Sequence, residues 1–125
     1  MNIEELRDYC LAIDGATECF PFDDTVLVFK VMEKMFAFLS ITPKDGQFKV
    51  CLKCNSEKSV ELRERYRGIS EGFYTKSLLW NSVCLESDVS DKLIKELINH
   101  SVSEVIGKLS KKKQEIYYNQ NKTHH

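Results

Sequence analysis

The hydrophobic positions at the start of the chain repeat with a helical period. The spacing i, i+3, i+4 and i+7 is met by Leu6, Tyr9, Cys10 and Ile13. Asn2 is a suitable N-cap, with Glu5 at the third helical position and Gly15 just beyond the end. The pattern predicts an amphipathic helix from Asn2 to Ile13.

The pattern then changes to short runs rich in β-branched and aromatic residues, which is typical of strands. The runs are TVLVFKV (Thr25–Val31), MFAFLSI (Met35–Ile41) and QFKVCLKC (Gln47–Cys54). Glu33 and Lys34 separate the first two, which predicts a hairpin of two largely buried strands. The third alternates, so Lys49, Cys51 and Lys53 should share a solvent-facing side of their strand.

Three further elements complete the predicted fold. Capping residues at one end and Gly68 at the other predict a helix over Asn55–Gly68. WNSVCLES (Trp80–Ser87) predicts a strand, and Ser90 caps a long helix whose apolar stripe reaches Leu109. Connections of hairpin length favour antiparallel pairing. We therefore expect an α+β fold with a single antiparallel β-sheet and the N- and C-terminal helices packed on one face.

The chain length of 125 residues predicts one domain, which we place at residues 1–112. Residues 113–125 form a polar, basic C-terminal tail that we expect to fray or lie on the surface, and its last two histidines are typical of an expression tag. No apolar run approaches the length of a membrane span, and the N-terminus is acidic rather than basic. These features predict a cytoplasmic protein with five free cysteines.

No arrangement of residues in the sequence indicates catalysis or a cofactor. The C-x-x-C spacing of Cys51 and Cys54 lacks a second cysteine pair, and strand alternation should point the two thiols to opposite faces. His100, on the long helix, is the one histidine away from the C-terminus, and no nucleophile motif accompanies it. We expect no enzymatic activity, no metal centre, no cofactor and no small-molecule substrate.

The formal net charge is −1, but the charges are unevenly distributed along the chain. The first 24 residues are strongly acidic, while basic residues concentrate in the middle and at the C-terminus. Lys49 and Lys53 should share one strand face, and Arg63 and Arg67 stand near the end of the second helix. Those arginines also complement the helix dipole, so a structural role for them stays open.

Five segments in the same order and spacing resemble the MmcQ/YjbR family of small bacterial proteins. They are FPFDDTVLVFKVMEKMFAFL (Phe20–Leu39), LKC (Leu52–Cys54), LRERYRGI (Leu62–Ile69), Gly72 with Trp80 and Asn81, and LIKELINHSVSEVIGKL (Leu93–Leu109). The resemblance implies a compact α+β fold similar to that of the frataxin-like CyaY proteins. It also implies a DNA-binding module rather than an enzyme.

The segment before the tryptophan departs from the pattern of that family. Members are similar to G-Y-H-M-N-K-K-H-W-N-T-V, whereas this chain reads GFYTKSLLWNSV from Gly72 to Val83. A single cation, Lys76, replaces the basic run, and Leu78 and Leu79 are apolar. If the family's basic segment contacts phosphate, this chain has lost most of those contacts.

Three hypotheses follow from these observations. The first is weak, non-specific DNA binding through phosphate contacts without base readout. Its candidate residues are Lys49, Lys53, Arg63, Arg67, Lys76, Trp80 and Asn81. The alternative is a protein–protein interaction module that uses the edge Leu78-Leu79-Trp80, although a single tryptophan in a small domain is more often a core residue. The third is a frataxin-like carrier that binds ferrous iron at the acidic first helix.

Overall fold

The computed structural model describes residues 1–43, 45–72 and 77–121. The strands are β1 (Thr17–Cys19), β2 (Val26–Val31), β3 (Lys34–Ser40), β4 (Lys49–Lys53), β5 (Ile69–Glu71) and β6 (Trp80–Cys84). The helices are α1 (Ile3–Leu11), α2 (Ser56–Arg65), α3 (Asp91–Gly107) and α4 (Lys111–Asn121). All strands join one antiparallel sheet in the order β1-β2-β3-β4-β6-β5. The predicted α+β class and single antiparallel sheet are confirmed.

The main core lies between the sheet and the helices α1 and α3. Alternate residues of the central strands point to this side, and Leu6 of α1 and Ile98 of α3 are fully buried against them. The predicted capping box of α1 is present, since Asn2 accepts from the Glu5 amide and Glu5 accepts from the Asn2 amide. Both terminal helices of the predicted domain therefore pack on one face, as the sequence indicates.

The opposite face of the sheet carries a second, smaller core. Its fully or nearly fully buried members are Val26, Val28, Phe38 and Cys51. The expectation of a solvent-facing side along β4 is therefore wrong at Cys51, which is buried between the partly exposed Lys49 and Lys53. Hydrophobic alternation assigns side chains to faces, but it cannot show that neighbouring strands bury the middle of a face.

A β-bulge at Phe36 changes the side chains that β3 presents. The register shifts from Phe29 opposite Ala37 to Lys30 opposite Met35, so Phe36 is the extra residue. Phe36 joins the main core, while Met35 turns to the opposite face. Ser101 of α3 is fully buried there; its hydroxyl donates to the Phe36 carbonyl and accepts from the Lys53 amide. The bulge thus fixes α3 against the junction of β3 and β4.

Two short strands were not predicted, and the predicted hairpin turn lies one residue earlier than expected. The edge strands β1 and β5 have three residues each, too few to produce a periodic pattern. The hairpin turn consists of Met32 and Glu33, both with positive φ, rather than Glu33 and Lys34. Lys34 therefore begins β3 instead of lying in the turn.

The C-terminal segment is more ordered than expected. Helix α3 ends at Gly107, and residues Lys111–Asn121 form α4 rather than a frayed extension. Tyr117 is buried in the main core, and its hydroxyl donates to the Asp14 carbonyl over 2.8 Å. This one buried aromatic residue attaches the otherwise polar α4 to the main core. A helix held by a single apolar residue shows no hydrophobic period, so the sequence pattern does not reveal it. Among the described residues, no helix has the length and apolar character to cross a membrane.

Candidate functional site

Lys53 and Trp80 are neighbours on the face opposite α1 and α3. They are directly paired across β4 and β6, so their side chains lie on the same side of the sheet. The Lys53 Nζ atom is 6.0 Å from the centroid of the Trp80 ring. The ring packs against Phe38, with 5.4 Å between centroids, yet Trp80 remains partly exposed. Trp80 is therefore both an edge of the second core and a part of the surface.

A groove beside Lys53 brings together cations that are distant in sequence. We call it the lysine groove, and its lining residues are Lys34, Met35, Lys53, Val105, Lys108 and Leu109. It is formed where β3 begins, β4 ends and α3 ends. The bulge and Ser101 hold these three elements together, so the fold itself positions the lysines.

The three lysines of the groove have no carboxylate partner within 4 Å in the part of the chain that the structure describes. The salt bridges there join the amino terminus to Asp91 and Arg7 to Glu18, both elsewhere in the fold. Three lysines that line one groove without an ion-paired carboxylate favour a local positive potential. The groove can therefore attract a multiply charged anion.

The other predicted basic residues do not gather at this point. Lys49 shares the face of Lys53 but stands at the opposite end of β4, about 13 Å along the strand. Arg67 is exposed near that other end, where its amide and the Gly68 amide donate to the Asp88 carboxylate. These hydrogen bonds lower the pKa of Asp88, which keeps a negative charge beside Arg67. The predicted contact at Lys76 lies outside the described residues.

Arg63 and Asn81 belong to an internal polar cluster, which we call the arginine clamp and define as Arg63, Asn81 and Ser59. The guanidinium donates to the Asn81 carboxamide oxygen over 2.7 Å and to the Ser77 and Trp80 carbonyls. Asn81 is 2% exposed and donates in turn to the hydroxyl of the fully buried Ser59. The clamp ties α2 to the start of β6 and engages Nε and Nη2 of the partly exposed Arg63, together with both polar atoms of the buried Asn81, within the protein.

The predicted apolar edge is present on the surface. Leu78 and Leu79 are 41% and 43% exposed, directly before the partly exposed Trp80. The Leu79 carbonyl accepts from the Cys54 amide, which attaches this turn to the end of β4. Two adjacent exposed leucines are a small patch, which is smaller than typical stable interfaces require.

Three of the seven acidic residues among the first 24 are engaged by other groups of the protein. Glu5 completes the α1 cap, Glu18 pairs with Arg7, and Asp23 accepts from Thr25. The hydrogen bonds from Arg7 lower the pKa of Glu18, and those from Thr25 lower the pKa of Asp23. Within residues 1–43, 45–72 and 77–121, no three metal-binding side chains are grouped. Iron binding at this helix stays a prediction.

The thiols of Cys10 and Cys54 and the imidazole of His100 have structural environments. Burial raises the pKa of the Cys10 thiol to about 12, and burial also raises that of Cys54, so both favour the neutral form. His100 accepts from the Asn55 amide over 3.4 Å, and burial lowers its pKa. A neutral histidine in this position holds the N-cap of α2 to α3.

Sequence reasoning missed Lys34 and Lys108 as members of the site. The sequence places Lys34 in a turn and Lys108 among the basic residues of the C-terminal part of the chain. Their meeting with Lys53 depends on the bulge and on where α3 crosses the sheet. No spacing in the sequence encodes that contact.

Comparison with known proteins establishes the family of the chain. The YjbR family model matches residues 11–102. The chain belongs to the YjbR family. Escherichia coli O157:H7 YbdF is 32% identical over 111 residues, covering 89% of each chain. Escherichia coli K12 YjbR is 25% identical over 116 residues, covering 93% of this chain and 97% of its own.

A solved structure supports both the family and the fold. The Deinococcus radiodurans protein DR2400, with the domain DUF419, has 32% identity and a TM-score of 0.83 to this YjbR-family chain. The match covers 93% of this chain and 87% of DR2400. The resemblance found in the sequence is therefore confirmed at the level of family and fold. The function and site residues that it implied stay predictions.

Proposed function

We propose that this YjbR-family protein binds DNA weakly and without sequence preference, through phosphate contacts centred on the lysine groove. Lys53 is the central contact, Lys34 and Lys108 flank it, and Lys49 extends the positive surface along β4. The observation that carries the proposal is a groove lined by three lysines from three elements, none with a carboxylate partner within 4 Å among the described residues. Their charges would be compensated by a polyanion.

The chemistry of these contacts predicts weak and salt-sensitive binding. Ammonium groups contact phosphate as point charges and carry no sequence information. Each phosphate neutralised contributes about one unit to the slope of log affinity against log salt. Three or four contacts therefore give an appreciable affinity only at low ionic strength.

The proposal describes a binding protein without enzymatic activity and with a cytoplasmic location. The thiols of Cys10 and Cys54 have raised pKa values, which is unfavourable for a nucleophile. All five cysteines are free, which agrees with a reducing compartment. These observations support the proposal; an activity screen and cell fractionation would test it.

The direct test measures the anisotropy of a labelled DNA while protein is added at low salt. We expect weak binding of both duplex and single-stranded DNA, which falls steeply as salt increases. The variant Lys53→Gln should weaken binding, whereas Lys92→Gln is the matched control. Lys92 is exposed and lies 16 residues before Lys108 on α3, about 24 Å along the helix axis. Affinity that is absent, or unaffected by salt, would contradict the proposal.

A second candidate function is protein binding through the Leu78-Leu79-Trp80 edge. The exposure of two adjacent leucines next to a partly exposed tryptophan favours it. Self-association is its simplest form, and sedimentation at increasing protein concentration would detect it. A Leu78→Ser, Leu79→Ser double variant should abolish association while preserving the salt-dependent DNA binding. If the double variant instead lost DNA binding alone, the apolar edge would belong to the nucleic-acid site.

A further inference from the structure

We infer that Trp80 is a stacking platform for an unpaired base, so that the preferred ligand is single-stranded nucleic acid with its phosphates on the lysine groove. This inference rests on the proposed function and makes it more specific. Phosphate contacts alone cannot sense whether the bases are paired, because both a duplex and a single strand offer phosphates. An aromatic ring beside them can, because only an unpaired base offers its face for stacking.

The first argument is the position of the ring relative to the cations. Trp80 is the direct cross-strand partner of Lys53, which itself lines the groove. Neighbouring strands are about 5 Å apart, so Lys53 lies between the ring on one face of the sheet and the groove, which is formed at the end of the sheet beside α3. Single-strand binding proteins combine these same two parts, a basic groove along the backbone and an aromatic ring for the bases.

The second argument is that Lys53 is only loosely held at the ring. Its ammonium is 6.0 Å from the ring centroid, at the outer limit of a cation–π contact. A contact of this length is weak, so a phosphate can draw the ammonium away at little cost. The same movement would uncover part of the ring for a base, which links phosphate binding to stacking.

The third argument is that the backbone of Trp80 is fixed before any ligand arrives. Its carbonyl accepts from the Arg63 guanidinium over 3.0 Å and from the Gly72 amide over 3.2 Å. Its ring rests against Phe38 in the second core. A side chain held in this way loses little conformational entropy on binding. The arginine clamp therefore acts as support for the platform rather than as a phosphate contact.

The test uses the emission of Trp80, which is the only tryptophan in the chain. The probes are short oligothymidylate and oligouridylate, an abasic strand of equal length, and a duplex. We expect the two unpaired oligonucleotides to quench the emission and to bind at least about fivefold more tightly than the abasic strand. The DNA and RNA probes also show which sugar is preferred.

Each outcome of this test bears on a different statement. If the abasic strand binds as tightly as the two unpaired oligonucleotides and the Trp80 emission is unchanged, base stacking is overturned and phosphate binding stands. Stronger quenching by the duplex would also overturn the inference. An absence of binding to every probe at low salt would overturn both the inference and the proposed function.

Variants provide a second readout by anisotropy. Trp80→Leu should reduce the preference for oligothymidylate over the abasic strand by at least about fivefold. Tyr118→Leu is the matched control, because Tyr118 is an aromatic residue on α4 that is 54% exposed. Thermal melts establish that each variant is folded. An unchanged preference in folded Trp80→Leu would contradict the inference.

Discussion

The arginine clamp and the lysine groove show two fates of basic residues that the sequence presents as similar. Arg63 has three hydrogen bonds to acceptors of the protein, including the nearly fully buried Asn81. Among the described residues, the Lys53 ammonium has only a long contact with a ring, and Lys53 lines an open groove with two further lysines. The difference teaches that a cation is available for a ligand only when the fold leaves its donors unsatisfied. The clamp belongs to stability, and the groove is the candidate for binding.

The largest expected effect comes from removing the centre of the clamp. Asn81→Ala should lower the free energy of unfolding by about 2–4 kcal/mol, because a buried hydrogen bond to a charged group and a second one to Ser59 are lost. Chemical denaturation measures this change. Asn99→Ala is the matched control, since Asn99 is exposed and should cost less than about 1 kcal/mol. Equal costs for the two variants would show that the clamp does not stabilise the fold.

A conservative change at Arg63 should have a smaller effect of the same kind. Lysine cannot reproduce the planar arrangement that reaches three acceptors, so Arg63→Lys should lower the free energy of unfolding by about 1–2 kcal/mol. The net charge is unchanged, so the salt dependence of DNA binding should stay the same. A lower salt slope at unchanged stability would instead make Arg63 a phosphate contact.

The contrast between the arginine clamp and the lysine groove also shows which features of the structure could be predicted from the sequence. Hydrophobic periodicity predicted α1, α2, α3 and the four longer strands, since each carries enough residues to show a period. The edge strands are too short for this, and α4 depends on the single buried Tyr117. Hydrophobic periodicity indicates which face of a helix or strand is buried, but it does not indicate which distant element will pack against that face.

The candidate site was predictable only in part for the same reason. Lys53 and Trp80 were identified because both stood in recognisable strand segments, and the structure pairs them. Lys34 and Lys108 join them only because a bulge at Phe36 and the buried Ser101 set where α3 meets the sheet. Arg63 is engaged within the protein and Lys53 lines the groove because their side chains point in different directions, and no residue spacing encodes these directions.

The smallest expected effect concerns the contact that closes the N-terminal end of α2. Neutral His100 accepts a hydrogen bond from the Asn55 amide. Burial and the charge of Lys58 lower the pKa of His100, and the charge of Glu104 raises it. The pKa is lowered overall, so the unfolded chain binds the proton first as pH falls. The stability should be complete above about pH 6.5 and decrease as pH falls from there through the folded-state pKa.

Comparing the wild type with His100→Asn isolates this contribution. Denaturation at pH 7.5 and pH 5.5 should show a smaller loss of stability in the variant, because the titrating imidazole is absent. The carboxylates with lowered pKa values, Glu18, Asp23 and Asp88, titrate below this window. An identical pH dependence in both proteins would remove His100 as the cause.

The central claim is that the lysine groove, and not the arginine clamp, contacts phosphate. It is tested most directly by the slope of log affinity against log salt for a labelled DNA, measured on the wild type and on Lys34→Gln, Lys53→Gln, Lys108→Gln combined. The account predicts a slope reduced by about three units in the triple variant, with thermal stability preserved. A triple variant that keeps the wild-type slope and affinity would contradict it.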